Sequence, residues 1–258
     1  MSRLARAGSG WAVGALLLAT ACGGGPKPAA TPAPERLLDR GRAEFRRGAF
    51  RQSLATFQRV LAELEPGRPE EAETRYFLAE SYFQTGERVE AAHEFRRVAD
   101  QFPASPYAPV ALLRAGDANL RLWRRPDLDP SYGQTALAVY QELVGRFPGT
   151  DAATRAQLHV RRLREWFAEK AYKNGLFYFR RRAFDSAIIY FKDVVANYPD
   201  ASRAPDALLR LVDSYRAIGY DEERRETCAH LQRFYPHADG LAQRCPPSPP
   251  GSSGAGAP

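Results

Sequence analysis

The groups able to do chemistry in this 258-residue chain are few: four histidines, three cysteines and thirty acidic side chains. A catalytic centre needs titratable groups that converge. His93, His159, His230 and His237 each fall on an expected helix or at its end, with no second His, Cys or carboxylate at metal-ligand spacing. They read as exposed or partly packed side chains. The acid pairs Glu70/Glu71 and Glu222/Glu223 stand where helices begin, a place that favours carboxylates through the helix dipole. The sequence holds no phosphate-cradling glycine loop, no dinucleotide fingerprint and no nucleophile elbow. The expectation is a non-enzymatic chain without metal or other cofactor. Cys228 and Cys245 leave two alternatives. In an oxidising compartment they pair across 17 residues, which stabilises the end of the fold by ~3 kcal/mol in the chain-entropy model. Otherwise Cys228 is a small buried hydrophobe and Cys245 a free thiol.

The third cysteine has a different setting. Arg3 and Arg6 precede an apolar run, Trp11 to Leu18, that is far shorter than the ~20 residues needed to span a bilayer. The run ends in Leu18-Ala19-Thr20-Ala21-Cys22, small residues directly before a thiol. This resembles the lipobox of bacterial lipoproteins, with Ala19 where leucine is usual. The resemblance implies cleavage before Cys22, acylation of its sulfur and amino group, and a membrane-held N-terminus. An ordinary secretory leader cleaved after Ala21 is the alternative.

The elements between the ends are those of a soluble fold. Hydrophobic residues make up 44% and charged residues 26%, which excludes collagen-like and polytopic membrane classes. The formal charge is +7, and cleavage after Ala21 would lower it to +5. Basic residues are interleaved with acids and no block of five or six like charges occurs, so nucleic acid is not an expected partner. Residues 22–34 are rich in Gly, Ala and Pro and read as a flexible linker; residues 246–258 hold only Pro, Ser, Gly and Ala and read as a disordered tail. The folded part is expected at 35–245.

Within it the chain repeats. Five segments close on Glu65-Pro66, Phe102-Pro103, Phe147-Pro148, Tyr198-Pro199 and Tyr235-Pro236, each a helix stop. Eight residues before most of these steps stands an aromatic, and four before that a small residue: Ser53/Phe57, Ala91/Phe95, Ala136/Tyr140 and Ala187/Phe191. Arg224/Cys228 is the weak fifth copy, as expected of a capping unit. Gly48, Gly86 and Gly219 separate two helix-period stretches, and nothing alternates with period two. The pattern predicts helix A–turn–helix B hairpins in which small residues permit close approach and aromatics fill the gaps. The copies lie 38, 45, 51 and 37 residues apart, so two carry insertions. One is a proline-containing loop at 124–132. The other doubles helix A of the fourth copy, from about Asp151 to Arg181.

This resembles the tetratricopeptide repeat, whose period is ~34 residues, and predicts an all-α right-handed superhelix of about five degenerate hairpins. Such scaffolds hold peptides in a groove lined by helix A. The groove positions projected from the packing positions are Leu38, Arg42 and Phe45 in the first hairpin, and Tyr76, Glu80 and Phe83 in the second. In the fourth they are Tyr172, Leu176 and Phe179. Packing between repeats is the competing role for each.

The order of parts sharpens the resemblance. The lipobox and linker are followed by a D-x-D-P loop (Asp127–Pro130) and an A-x-x-x-Y-x-E-L-x-x-x-F-P helix (Ala136–Pro148). A long helix then bears L-R-E-W-F-A-E-K-A-Y, residues 163–172. Over residues 35–240 the chain is similar to the BamD/ComL family, lipoproteins of the β-barrel assembly machinery of the Gram-negative outer membrane. The resemblance implies a lipid-anchored, periplasm-facing outer-membrane scaffold. Its implied partners are unfolded outer-membrane proteins, the periplasmic domains of the barrel subunit and accessory lipoproteins. Early repeats would face substrate or accessory subunits, and late repeats the barrel subunit. A Tol-Pal coordinator of envelope constriction is the alternative, although that family usually has an N-terminal coiled coil and no lipobox. A peptidoglycan-associated enzyme with a helical domain would need the catalytic groups that are missing.

Overall fold

A computed structural model describes residues 33–124 and 129–246. Cys22, the leader before it, most of the linker, loop residues 125–128 and the tail after Pro246 lie outside the described residues. Among the described residues there are eleven helices and no strand, the all-α architecture read from the sequence. The helices are α1 (Pro34–Arg46), α2 (Phe50–Glu63), α3 (Pro69–Thr85), α4 (Arg88–Gln101), α5 (Tyr107–Leu122) and α6 (Ser131–Arg146). They continue with α7 (Asp151–Arg180), α8 (Phe184–Asn197), α9 (Ala204–Ile218), α10 (Asp221–Phe234) and α11 (Leu241–Arg244). α1 begins on Pro34, the last residue assigned to the linker. Proline suits a first helical position because its missing N–H would have no partner there.

Odd-numbered helices α1 to α9 are the A helices, and each packs on the B helix that follows. Each of the B helices α2, α4, α6 and α8 also packs on the next A helix. Neighbouring A helices touch one another, whereas no B helix touches another B helix among the described residues. Each hairpin is thus a wedge with its narrow side at the A helices.

The repeat is written in the backbone angles. The C-cap residues Phe102, Phe147, Tyr198 and Tyr235 share φ near −130° and ψ near 50°. Leu64, before the acid-proline step, is extended instead at φ −80°, ψ 133°. The A-to-B turns place Gly48, Gly86 and Gly219 at positive φ. In the fourth hairpin the same left-handed position is taken by Arg182, at φ 61°.

All eight small and aromatic residues of the first four copies, from Ser53/Phe57 to Ala187/Phe191, have no solvent exposure. The partner of each aromatic is a small residue on helix A. A Cβ added to Gly41 would lie 2.7 Å from the Phe57 ring, one on Gly116 2.4 Å from Tyr140, and one on Gly175 2.5 Å from Phe191. Ala79 stands before Phe95 at the sixteen-residue offset that separates Gly41 from Phe57.

Helix α7 joins two cores. Ala152, Ala156, Leu163 and Phe167 belong to the core shared with α3 to α6, and Ala168, Ala171 and Tyr172 to the core shared with α8 to α10. The buried set steps 152, 156, 163, 167 and then resumes one residue on at 168. One residue is about 100° around a helix, so the buried face turns there.

The packing and the turn each carry a stability prediction. Ala91→Leu or Ala187→Leu is expected to overpack its hairpin and cost ~1–3 kcal/mol, read as a lower melting temperature. Unchanged melting in both would contradict the packing register. Arg182→Gly removes a left-handed non-glycine residue and is expected to stabilise by about 1 kcal/mol, measured by denaturant titration. A destabilised variant would mean that the arginine side chain more than offsets its backbone cost.

Candidate interaction surface

Consecutive A helices are tied by charge. Arg42 on α1 donates from Nε and Nη2 to both Glu73 oxygens on α3, at 2.7 and 2.6 Å, and from Nη1 to Asp39 at 2.8 Å. Tyr107 on α5 also engages Glu73; burial, then that charge, raises its phenol pKa. Arg114 on α5 makes a bidentate pair with Glu80 on α3 at 2.5 and 2.9 Å, and a third bond to Asp117 at 3.0 Å. Asp117 accepts from the Tyr140 hydroxyl at 2.7 Å. Between α7 and the start of α9, Arg203 donates to Glu169 at 2.5 Å and to Asp206 at 2.8 Å.

The same guanidinium groups lie on rings. Arg114 stands 4.0 Å from the Phe83 ring centroid, Arg203 5.1 Å from Tyr172 and Arg210 5.3 Å from Phe179. Each arginine follows its ring by 31 residues, so the contact recurs from one A helix to the next. Burial opposes the charge on Arg114, but Glu80 and Asp117 outweigh it and hold its pKa above the ordinary arginine value. Burial, reinforced by Asp117, pushes the Tyr140 phenol well up. The Arg203 hydrogen bond holds Glu169 below the usual carboxylate range, and Arg164 does the same for Asp200.

These contacts correct the groove read from the sequence. Leu38 is 3% exposed and Glu80 7%, too little for either to meet a peptide. Leu38 is held in the core under Phe57, and Glu80 is held by Arg114. Arg42 is engaged by Glu73 and Asp39. Phe45, Tyr76 and Phe83 are half-buried. Phe45 packs edge-on against Phe50 and Phe77, and Tyr76 against Phe77, with tilted contacts to Phe95 and Tyr107. In the fourth hairpin Tyr172 is buried, and Leu176 and Phe179 pack on the second core. The six early positions therefore form an inter-repeat seam in which Leu38 and Glu80 are buried and Arg42 and the three aromatic rims partly reach solvent. Glu73, Tyr107, Arg114, Asp117, Glu169 and Arg203 escaped the sequence reading. Their signal is opposite charges, 31 or 34 residues apart, about one repeat.

The structure joins Cys228 to Cys245 in a disulfide, with Cα atoms 5.4 Å apart. It fastens α11 to α10, and Arg244 beside it pairs with Asp213 at 3.0 Å. His159 stacks on Tyr140 and His230 lies against Phe234. Among the described residues no three His, Cys, Asp or Glu side chains are grouped to hold a metal.

A family model described as outer membrane lipoprotein, YfiO, matches residues 31–231. The outer membrane protein assembly factor BamD of Caulobacter vibrioides is 27% identical over 205 residues, covering 78% of this chain and 66% of that protein. BamD of Rickettsia prowazekii is 28% identical over 99 residues, 38% of this chain and 39% of that one. The chain thus spans less than two thirds of the length of these relatives. Similar solved structures include a thermophilic TPR protein of Thermus thermophilus, with 21% identity, a TM-score of 0.38, and 82% and 96% of the two chains covered. The TPR domain of P58(IPK) has 12% identity and a TM-score of 0.44, covering 82% of this chain and 54% of that one.

The ion pairs give a pH dependence whose sign is fixed. Glu169 and Asp200 have folded pKa values below their ordinary ones. Such groups stabilise the fold above the unfolded carboxylate pKa, about 4, and lose that contribution as pH falls through the folded value. Glu169→Gln is expected to lower the melting temperature near neutrality, with the gap to wild type closing as pH falls through the folded carboxylate pKa. A gap that stays constant on acidification would assign Glu169 a role in shape rather than charge.

Proposed function

The chain belongs to the YfiO outer membrane lipoprotein family, and on that premise we propose that it is an outer-membrane protein assembly factor. In this reading it is acylated at Cys22, stands on the periplasmic face of the outer membrane, and brings unfolded β-barrel precursors to the barrel subunit on which it docks. The supporting observation is the extent of the family match. Residues 31–231 run from before α1 into α10, through every hairpin and the long α7, rather than over one generic repeat. No helix among the described residues is long and apolar enough to cross a membrane. Attachment is assigned to the lipid: a single acyl chain binds marginally, and several hold firmly.

Precursor binding is assigned to the early hairpins, where the rims of Phe45, Tyr76 and Phe83 offer apolar edges between ion pairs. Extended amphipathic segments suit such a surface. Docking is assigned to the late hairpins. The Cys228–Cys245 clamp fastens α11 to α10 there.

Two measurements test this. Cys22→Ala is expected to move the chain from the membrane to the soluble fraction or leave it uncleaved; unchanged fractionation of the variant, with its leader removed, would sink the anchor. The tagged chain, extracted in detergent from outer membranes, is expected to bring down a large β-barrel protein. A folded, membrane-attached chain that repeatedly purifies without one would overturn the assembly reading.

A further inference from the structure

The turn of the buried face within α7 leaves one side of its C-terminal half uncovered. Trp166, Lys170, Lys173, Phe177 and Arg181 follow one another at helical spacings of three and four, on one face about 22 Å long. Their contacts make an alternation of rings and cations. Trp166 meets Trp123 edge-on at 4.6 Å, and the Lys170 ammonium lies 5.4 Å from the Trp166 ring. Arg181 lies 3.5 Å over Phe177, which is 49% exposed. Lys173 is 3.2 Å from Glu169, with its side chain 70% exposed. A shallow pocket of about 180 Å³, lined by Trp166, Glu169, Lys170, Lys173 and Asn174, opens on this face.

The cations are concentrated at the end. Arg180, Arg181 and Arg182 are consecutive and exposed, and no carboxylate among the described residues lies within ion-pair reach of them. On the seams between A helices, by contrast, Arg42, Arg114 and Arg203 each have two acidic partners. Arg182 also occupies the turn position at which three other hairpins carry glycine, in the left-handed conformation that favours glycine. Backbone strain of this kind, kept beside two further uncompensated arginines, points to a use for the charge.

Charge decides what covers the face. Neither tail complements it: residues 23–32 contain Lys27 and no acid, and residues 247–258 contain no charge. A second copy would bring a chain of formal charge +7, or +5 once cleaved before Cys22, against a basic surface. The rings lie flat under their cations rather than projecting, a poor geometry for insertion into a bilayer. It suits aliphatic side chains that rest on the rings while flanking carboxylates reach Arg180, Arg181 and Arg182. We propose that this face of α7 and the turn that follows it, from Trp166 to Arg182, docks an acidic amphipathic helix of a partner protein. It is separate from the early-hairpin precursor surface and independent of that assignment.

The test uses the full chain in detergent and a fluorescent eighteen-residue peptide with leucine along one helical face and glutamate elsewhere. Anisotropy is expected to show saturable binding that weakens at least tenfold in Phe177→Ser/Arg181→Glu, two exposed positions whose change leaves the core intact. Arg161→Glu/Arg162→Glu, the same charge change or more on the other half of α7, is expected to leave affinity within twofold. Equal loss in both pairs would reduce the effect to general charge attraction and overturn the proposal. So would retention of affinity in the first pair. Sedimentation with phosphatidylglycerol vesicles that needs Phe177 and Arg181, without peptide binding, would replace the protein partner by a lipid surface and overturn it as well.

Discussion

Each of the first four hairpins rests on one contact, the ring of a B-helix aromatic against a missing or minimal side chain on its A helix. Gly41, Gly116 and Gly175 are mid-helix glycines, each of which costs about 1 kcal/mol relative to alanine. Full burial of a phenylalanine returns roughly 2–3 kcal/mol, and Phe57 and Phe191 reach zero exposure only because no Cβ stands in the way. Glycine is therefore the stabilising choice in these helices. The fifth hairpin changes the arrangement. Cys228 takes the aromatic's place, sixteen residues after Val212, so the larger side chain is on helix A and the smaller on helix B. A cysteine fills less space than a ring, and the bond to Cys245 brings α11 over the site. The end of a solenoid has no next repeat to bury against, and here a covalent clamp stands in for it.

The same logic explains the thirty residues of α7. A hairpin can bury its A helix only against its own B helix and its neighbours. The first half of α7 packs on α5 and α6, the second half on α8 and α9. Continuing as one helix keeps the two cores rigidly connected, and the one-residue step at Phe167/Ala168 turns the apolar stripe from one to the other. The cost is a face with no helical neighbour. Elsewhere on the A helices such faces are closed by arginine–carboxylate pairs to the next repeat.

Much of this was legible in the residues. The aromatic-proline steps mark the ends of α4, α6, α8 and α10 because proline cannot continue a helix and biases its predecessor out of one. The Ser/Phe and Ala/Phe pairs identify the buried seam because small and large residues four apart share a helix face. The span of α7 was readable from the absence of any stop between Asp151 and Arg181. The groove was not readable. Helical periodicity tells which side of a helix is apolar, but not whether the next repeat already covers it. Tyr76 and Phe83 have the spacing of exposed anchors, and only Tyr107 and Arg114, on another helix, show that each is half covered. The turn at Arg182 was hidden for a related reason. Glycine signals left-handed backbone, and an arginine in the same conformation carries no sequence signal.

The distribution of neutralised and free charge separates two kinds of surface on one scaffold. Between α1 and α5 the guanidinium groups of Arg42 and Arg114 already have their carboxylates, so a ligand there gains little from Coulomb attraction. Affinity must come from apolar edges, and salt should scarcely affect it. At the C-terminal end of α7, Arg180, Arg181 and Arg182 are exposed and have no carboxylate among the described residues within ion-pair reach, so their charge acts over the screening length of about 8 Å at physiological ionic strength. Attraction there acts at a distance and raises encounter rates, while the rings beneath hold what arrives. A scaffold whose repeats share one packing rule thus acquires different surfaces by whether each arginine is paired within the chain or left for a partner.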